Sequence, residues 1–195
     1  DKWFPKETWF EEDMPEYWGD WGCHSEVDEL KAVLMRRPGA EVDDFDFREV
    51  RFRTEIDPER FRAQHDKLAD FYRSKGIAVH YVEEQRKDRP NALFCRDLLL
   101  MTPEGAIICR PAMAARRGEE TAVARTVANL NIPIIKTINA DGYFEGANVM
   151  WVDRETVILA VGARTNRAGA EQVAAELKRI GVKEIIYMQT PCGQA

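Results

Sequence analysis

Two stretches of this sequence repeat one another, and that repetition limits what the chain can fold into. Residues 97–137 read as strand (97–101), turn (Pro103-Glu104-Gly105), strand (106–109), helix (116–130) and strand (133–137). The second stretch has strands at 149–152, 156–161 and 183–188, a turn at Asp153-Arg154 and a helix over 168–180. Both are ββαβ, offset by about 50 residues, and a unit of this size buries its apolar face only against its neighbours. An earlier stretch, 30–82, is a looser version. It has a strand-like run at 29–36 closed by Arg37-Pro38-Gly39, and a polar, acid-rich connection. A helix opened by Asp57-Pro58 follows, then a strand at 77–82. Within that helix Phe61, His65, Leu68, Phe71 and Tyr72 recur at three- and four-residue steps up to Gly76. The expected fold class is therefore α/β, built from repeated ββαβ units.

The repeat carries polar residues to equivalent places. Asp97 precedes Arg116 by 19 residues, and Glu145 precedes Arg164 by 19. Pseudo-symmetry would aim all four at a common axis, where two carboxylates beside two arginines suit a zwitterion with a cation at one end and a carboxylate at the other. Ordinary surface ion pairs are the competing explanation. Both arginines are placed at or just before a helix start, where positive charge opposes the macrodipole and needs another reason to be there.

Charge and composition narrow the classes further. The net charge is -6, and residues 1–22 hold Asp1, Glu7, Glu11, Glu12, Asp13, Glu16 and Asp20 against Lys2 and Lys6. The rest of the chain is nearly neutral and lacks the basic face that nucleic acid requires, so nucleic acid is not an expected partner. The same 22 residues carry Trp3, Trp9, Trp18 and Trp21 with Phe4, Phe10 and Tyr17. They are expected to form an acidic, Trp-rich arm on the body (23–195) or on a second subunit. Apolar runs such as 157–161 are strand-length, well short of the ~20 residues of a membrane span. Four cysteines (Cys23, Cys95, Cys109, Cys192) form no CxxC pair, and only His24 adjoins one, so no metal site is expected. Reduced thiols in a cytoplasmic protein are the expectation, with His65 and His80 packed or at the surface.

The runs Asn91-Ala92-Leu93-Phe94-Cys95-Arg96-Asp97, Ala115-Arg116-Arg117-Gly118-Glu119, Phe144-Glu145-Gly146-Ala147-Asn148 and Arg164-Thr165-Asn166 resemble the guanidino-group modifying superfamily. It comprises arginine deiminases, dimethylarginine dimethylaminohydrolases and amidinotransferases. The resemblance covers roughly residues 22–195, with its elements in order. It implies a pentein-type α/β propeller of five ββαβ units, about three of them present here. It also implies that Asp97 grips a substrate guanidinium, that Asn91 and Phe94 line the same pocket, and that Arg116 and Arg164 hold the substrate α-carboxylate. Glu145 would orient a catalytic histidine. The implied reaction is attack of a cysteine thiolate on the guanidinium carbon, with an amidino-thioether intermediate and no cofactor.

Ala147-Asn148 departs from the family's Gly-Asp, which hands the role of that acid to an amide or removes it. The family's His-x-Asp element and nucleophilic cysteine are expected after Ala195, and Cys192 is not expected to be the nucleophile. A guanidino-group hydrolase acting on arginine or a derivative is the leading expectation, silent as this chain alone. An amidinotransferase, or a non-catalytic guanidinium-binding or assembly module, is the alternative. With about three of five units, the chain is expected to associate with a second copy or a partner chain that supplies the missing units, to aggregate, or to be stable only together with a C-terminal part.

Overall fold

The computed structural model describes residues 2–83 and 86–191. Three separate sheets follow one another along the chain. The first is a parallel pair, β1 (Ala32–Met35) and β2 (Ala78–Tyr81), crossed over by helix α2 (Pro58–Ser74), with Ala32 opposite Ala78. Asp57 caps α2 by accepting a hydrogen bond from the Arg60 amide, and Pro58 occupies the first turn, where its missing N–H costs nothing.

The second and third sheets share one plan. Antiparallel β3 (Leu99–Thr102) and β4 (Gly105–Ile108) are followed by α3 (Glu120–Asn129) and by β5 (Ile134–Thr137), which pairs parallel to β4. Then β6 (Val149–Trp151) and β7 (Thr156–Val161) pair antiparallel, and α4 (Arg167–Arg179) leads to β8 (Glu184–Gln189), parallel to β7. Both ββαβ stretches thus form, with the parallel crossover helix where the 3.6-residue periodicity places it.

The boundaries moved in two informative places. The expected strand from 97 starts at Leu99, because Cys95–Asp97 wind into a 3-10 turn first. The expected helix from 116 starts at Glu120. Ala114–Arg116 form a separate 3-10 turn, and Gly118 at φ +91 breaks the path between the two. Arg116 therefore stands before α3 and not in it, and Arg164 stands three residues before α4.

Packing follows the strand alternation. All four residues of β4 are buried, as expected of a central strand. Ile107 joins Leu100, Phe144, Val157, Leu159, Val173 and Leu177 in a core under α4, while Ala106 and Ile108 join Leu98, Val123, Val127 and Ile132 under α3. The strand β4 is thus shared between two cores, which fixes the second unit against the third.

The first 22 residues contain a short helix, α1 (Phe10–Tyr17). It is fastened to the body by buried Met14, by the Glu11–Arg154 ion pair (2.6 Å), and by the Asn131 amide donating to the carbonyls of Tyr17 and Trp18. Only one face docks. Trp3, Phe4, Trp9, Phe10, Tyr17 and Trp18 all remain exposed.

Candidate functional site

The two repeated units meet at their 3-10 turns. Gly146 lies so close to the preceding unit that an added Cβ would be 2.5 Å from the carbonyl oxygens of both Arg96 and Leu99. That close approach sets the segment carrying Glu145 against the segment carrying Asp97. Beside them opens a cavity of about 380 Å³, lined by Asn91, Phe94, Asp97, Arg116, Glu145 and Arg164 together with Val50, Arg51 and Phe52.

The 19-residue spacings turn out to be ion pairs. Arg116 Nη1 donates to Asp97 Oδ2 at 2.5 Å, and Arg164 Nη1 donates to Glu145 Oε1 at 3.2 Å. The pairs differ in depth: the Arg116 side chain is 6% exposed and that of Arg164 is 43% exposed. Arg116 is further held by Glu119, whose Oε2 accepts from Nε at 2.9 Å and lies 2.9 Å from Nη2. Nη2 also donates to the Asn91 carbonyl, and the guanidinium sits 5.8 Å from the Phe94 ring centroid. Burial pulls the Arg116 pKa down, but Glu119 and then Asp97 more than offset it and the guanidinium stays charged. Burial drives the Glu119 carboxyl the other way, up to about 7, against the opposing pull of Arg116 and Arg89.

Glu145 also accepts weakly from the Ala112 amide (3.4 Å), and its own N–H donates to Thr165 Oγ1. Asn148 donates to the same Thr165 oxygen at 2.5 Å. Its amide thus ties down the segment after Arg164 and does not line the cavity. The described histidines, His24, His65 and His80, do not line this cavity, nor do Cys23, Cys95 and Cys109. Burial pushes the Cys95 thiol up to about 12 and the Cys109 thiol well above its ordinary value, so both are poor nucleophiles. Cys192 lies outside the described residues. Among the described residues no group of three or more His, Cys, Asp or Glu side chains is placed to hold a metal ion.

Two parts of the site were not foreseen. The 43–57 connection supplies the wall of Val50, Arg51 and Phe52, and Asn91 Nδ2 reaches the Val50 carbonyl at 3.4 Å. The aromatic density of Phe45, Phe47 and Phe52 within a polar stretch was the available signal. Glu119 was the other, three residues after Arg116 and so on the same side of a turn.

The family model for N,N dimethylarginine dimethylhydrolase, eukaryotic, matches residues 32–190. The chain belongs to this family. Within it, the chain is similar to the N(G),N(G)-dimethylarginine dimethylaminohydrolase of Streptomyces coelicolor, at 29% identity over 98 residues, half of this chain and 37% of that protein. Its fold is similar to that of the Pseudomonas aeruginosa dimethylarginine dimethylaminohydrolase solved with citrulline. The TM-score is 0.71 at 24% identity, over 86% of this chain and 63% of that one. The N-terminal domain of ArgZ, a cyanobacterial arginine dihydrolase, gives a TM-score of 0.68 at 20% identity, over 83% of this chain and 58% of that one. The amidinotransferase SxtG of Microseira wollei gives 0.64 at 14% identity, over 87% of this chain and 62% of that one. The chain therefore spans less than two thirds of the length of each of these relatives. Among its described residues no helix is long and apolar enough to cross a membrane.

Proposed function

We propose that this chain forms the substrate-gripping part of a guanidino-group hydrolase acting on arginine or an N-substituted arginine. The observation that carries the proposal is the convergence of two acids and two arginines from successive repeats on one cavity, with Asn91 and Phe94 beside them. In this reading the three sheets are three of the five units of a propeller. The exposed Ile186, Tyr187 and Met188 of β8 offer an apolar surface for a further unit.

Asp97 would receive the ligand guanidinium. A planar guanidinium matches a carboxylate bidentately, and each charge-assisted bond contributes about 1.5–3 kcal/mol. Arg164, half-exposed at the cavity rim, and the cavity-facing edge of Arg116 would hold the α-carboxylate. Glu145, buried beside the cavity, would orient the general acid.

In the complete enzyme a cysteine thiolate adds to the guanidinium carbon, and the departing nitrogen takes a proton from the histidine that Glu145 orients. Water then attacks the carbon of the amidino-thioether and the thiolate is released. Hydrolysis is preferred over amidino transfer because the matched family is a hydrolase family.

The proposal is tested by titration calorimetry of L-arginine and of NG,NG-dimethylarginine against this chain and against Asp97→Ala. Binding is expected to weaken by roughly 1.5–3 kcal/mol in the variant, about 10- to 150-fold, while circular dichroism stays unchanged. Equal affinity in both proteins contradicts the assignment of Asp97. Binding without turnover, in a longer chain that contains the histidine and cysteine, would favour the non-catalytic module.

A further inference from the structure

The guanidinium of Arg116 has two usable edges, and the structure gives them to different partners. Its side edge, formed by Nε and Nη2, lies on Glu119 Oε2 at 2.9 Å. Its end edge carries the bond from Nη1 to Asp97 and the bond from Nη2 to the Asn91 carbonyl, and both of those residues line the cavity. Glu119 does not line that cavity, and its side chain is fully buried behind Arg116. The other carboxylate oxygen, Oε1, is buried with no hydrogen-bond donor among the described residues.

A buried carboxylate with one unsatisfied oxygen is costly. In this place it does one definite thing: it stops the long, otherwise rotatable Arg116 side chain from turning its end edge away from Asp97. We infer that Glu119 is a positioning residue of the site, gripping the side edge of the Arg116 guanidinium so that the end edge is presented to a bound ligand. The inference rests on the reading of the cavity as a guanidino amino-acid site. Substrate contact is made by Arg116, and Glu119 acts through it.

The setting makes this anchor sensitive to pH. The charged and titratable groups around the Glu119 carboxylate are Arg116, then Arg89 from the loop before Asn91, and the adjoining Glu120. Cys95 and, beyond it, Arg36 lie on the same buried side. None of these is a histidine. Because burial holds the Glu119 carboxyl up to about 7, acidification below neutrality discharges it. The side-edge grip then weakens while Asp97 still pulls on the end edge.

The test compares the wild-type chain with Glu119→Gln, which keeps size and an acceptor oxygen and removes the charge. Calorimetry with L-arginine and with agmatine, which has no carboxylate, is run from pH 5.5 to 8.5. At pH 8, Glu119→Gln is expected to bind L-arginine about 10-fold more weakly and agmatine within about 2-fold of wild type. Wild-type affinity for L-arginine is expected to fall on acidification through about pH 7, and the variant profile to lack that step. If the variant does not fold, the wild-type profile carries the test alone.

The Arg116 Nε–H resonance in a proton–nitrogen spectrum reads the grip without any ligand. It is expected to be exchange-protected in the wild type and to lose that protection in Glu119→Gln. Unchanged L-arginine affinity, an unchanged pH profile and an unchanged Nε–H signal would overturn the inference. If neither protein binds L-arginine but the Nε–H protection depends on Glu119, the functional reading fails and the grip stands.

Discussion

The second and third units use the same backbone plan and the same 19-residue spacing, yet they build ion pairs of different kinds. In the second unit Arg116 is sealed between Asp97 and fully buried Glu119. In the third, Arg164 leaves much of its length in solvent and reaches a buried Glu145 by a single 3.2 Å contact. The source of the difference is local. The Arg116-Arg117-Gly118-Glu119 stretch winds a tight turn before α3 and brings a second acid under the arginine, whereas Arg164 is followed by Thr165 and the capping Asn166. A repeat thus fixes where charges stand, while the two or three residues beside each charge decide whether it is an anchored post or a movable arm.

That contrast can be broken first by stability. Arg116→Ala leaves fully buried Glu119 without its counter-charge and is expected to cost about 3–5 kcal/mol, whereas Arg164→Ala removes a half-exposed cation held to buried Glu145 by one 3.2 Å contact and is expected to cost less, about 1–2 kcal/mol. Urea unfolding of the two variants checks the ordering, and equal losses would mean the pairs are not different in kind.

Ligand discrimination comes next. Arg164→Gln is expected to weaken L-arginine binding by roughly 1.5–3 kcal/mol and to leave agmatine nearly unaffected, measured by calorimetry. A similar loss for both ligands would make Arg164 a structural residue.

The seam between the units offers a third test. A Cβ at Gly146 would press on the carbonyls of Arg96 and Leu99, so Gly146→Ala is expected to cost about 1–3 kcal/mol in thermal or urea unfolding. It should also weaken ligand binding by moving Glu145 away from Asp97.

The last test is the pH dependence of stability. Glu119 keeps its proton up to about 7 in the folded chain, against 4.5 as its ordinary value. Between those values the folded state binds more protons than the unfolded one, so the contribution of Glu119 to stability is present at low pH and is lost as pH rises through about 7. Glu119→Gln lacks this slope. From pH 5 to pH 8 the stability difference should therefore move in favour of the variant, by roughly 2–3 kcal/mol.

How much of this was legible in the sequence follows the same division. Periodicity gave both ββαβ units, because period-2 and period-3.6 patterns report burial directly. The four charged residues were legible because the repeat brought them to equivalent positions. The wall of Val50, Arg51 and Phe52 was not, since in a connection without periodicity the aromatic density of Phe45, Phe47 and Phe52 signals only that it packs, not against what. Arg51 even adopts φ +62, which its residue type would not suggest. The grip of Glu119 was missed because an acid three residues from an arginine is common at surfaces, and only the burial of both makes it a support. The helix α1 was missed because it is short, contains Pro15, and buries only Met14 among its eight residues.

The central claim is that Asp97 takes the cationic end of a guanidino amino acid while the arginines take its anionic end. A crystal structure of this chain soaked with L-arginine tests it most directly. The account predicts the ligand guanidinium on the Asp97 carboxylate and the ligand carboxylate on Arg164 and the cavity-facing edge of Arg116, with Glu119 unmoved behind Arg116. A ligand bound in the reverse sense, or away from Asp97 altogether, would contradict it.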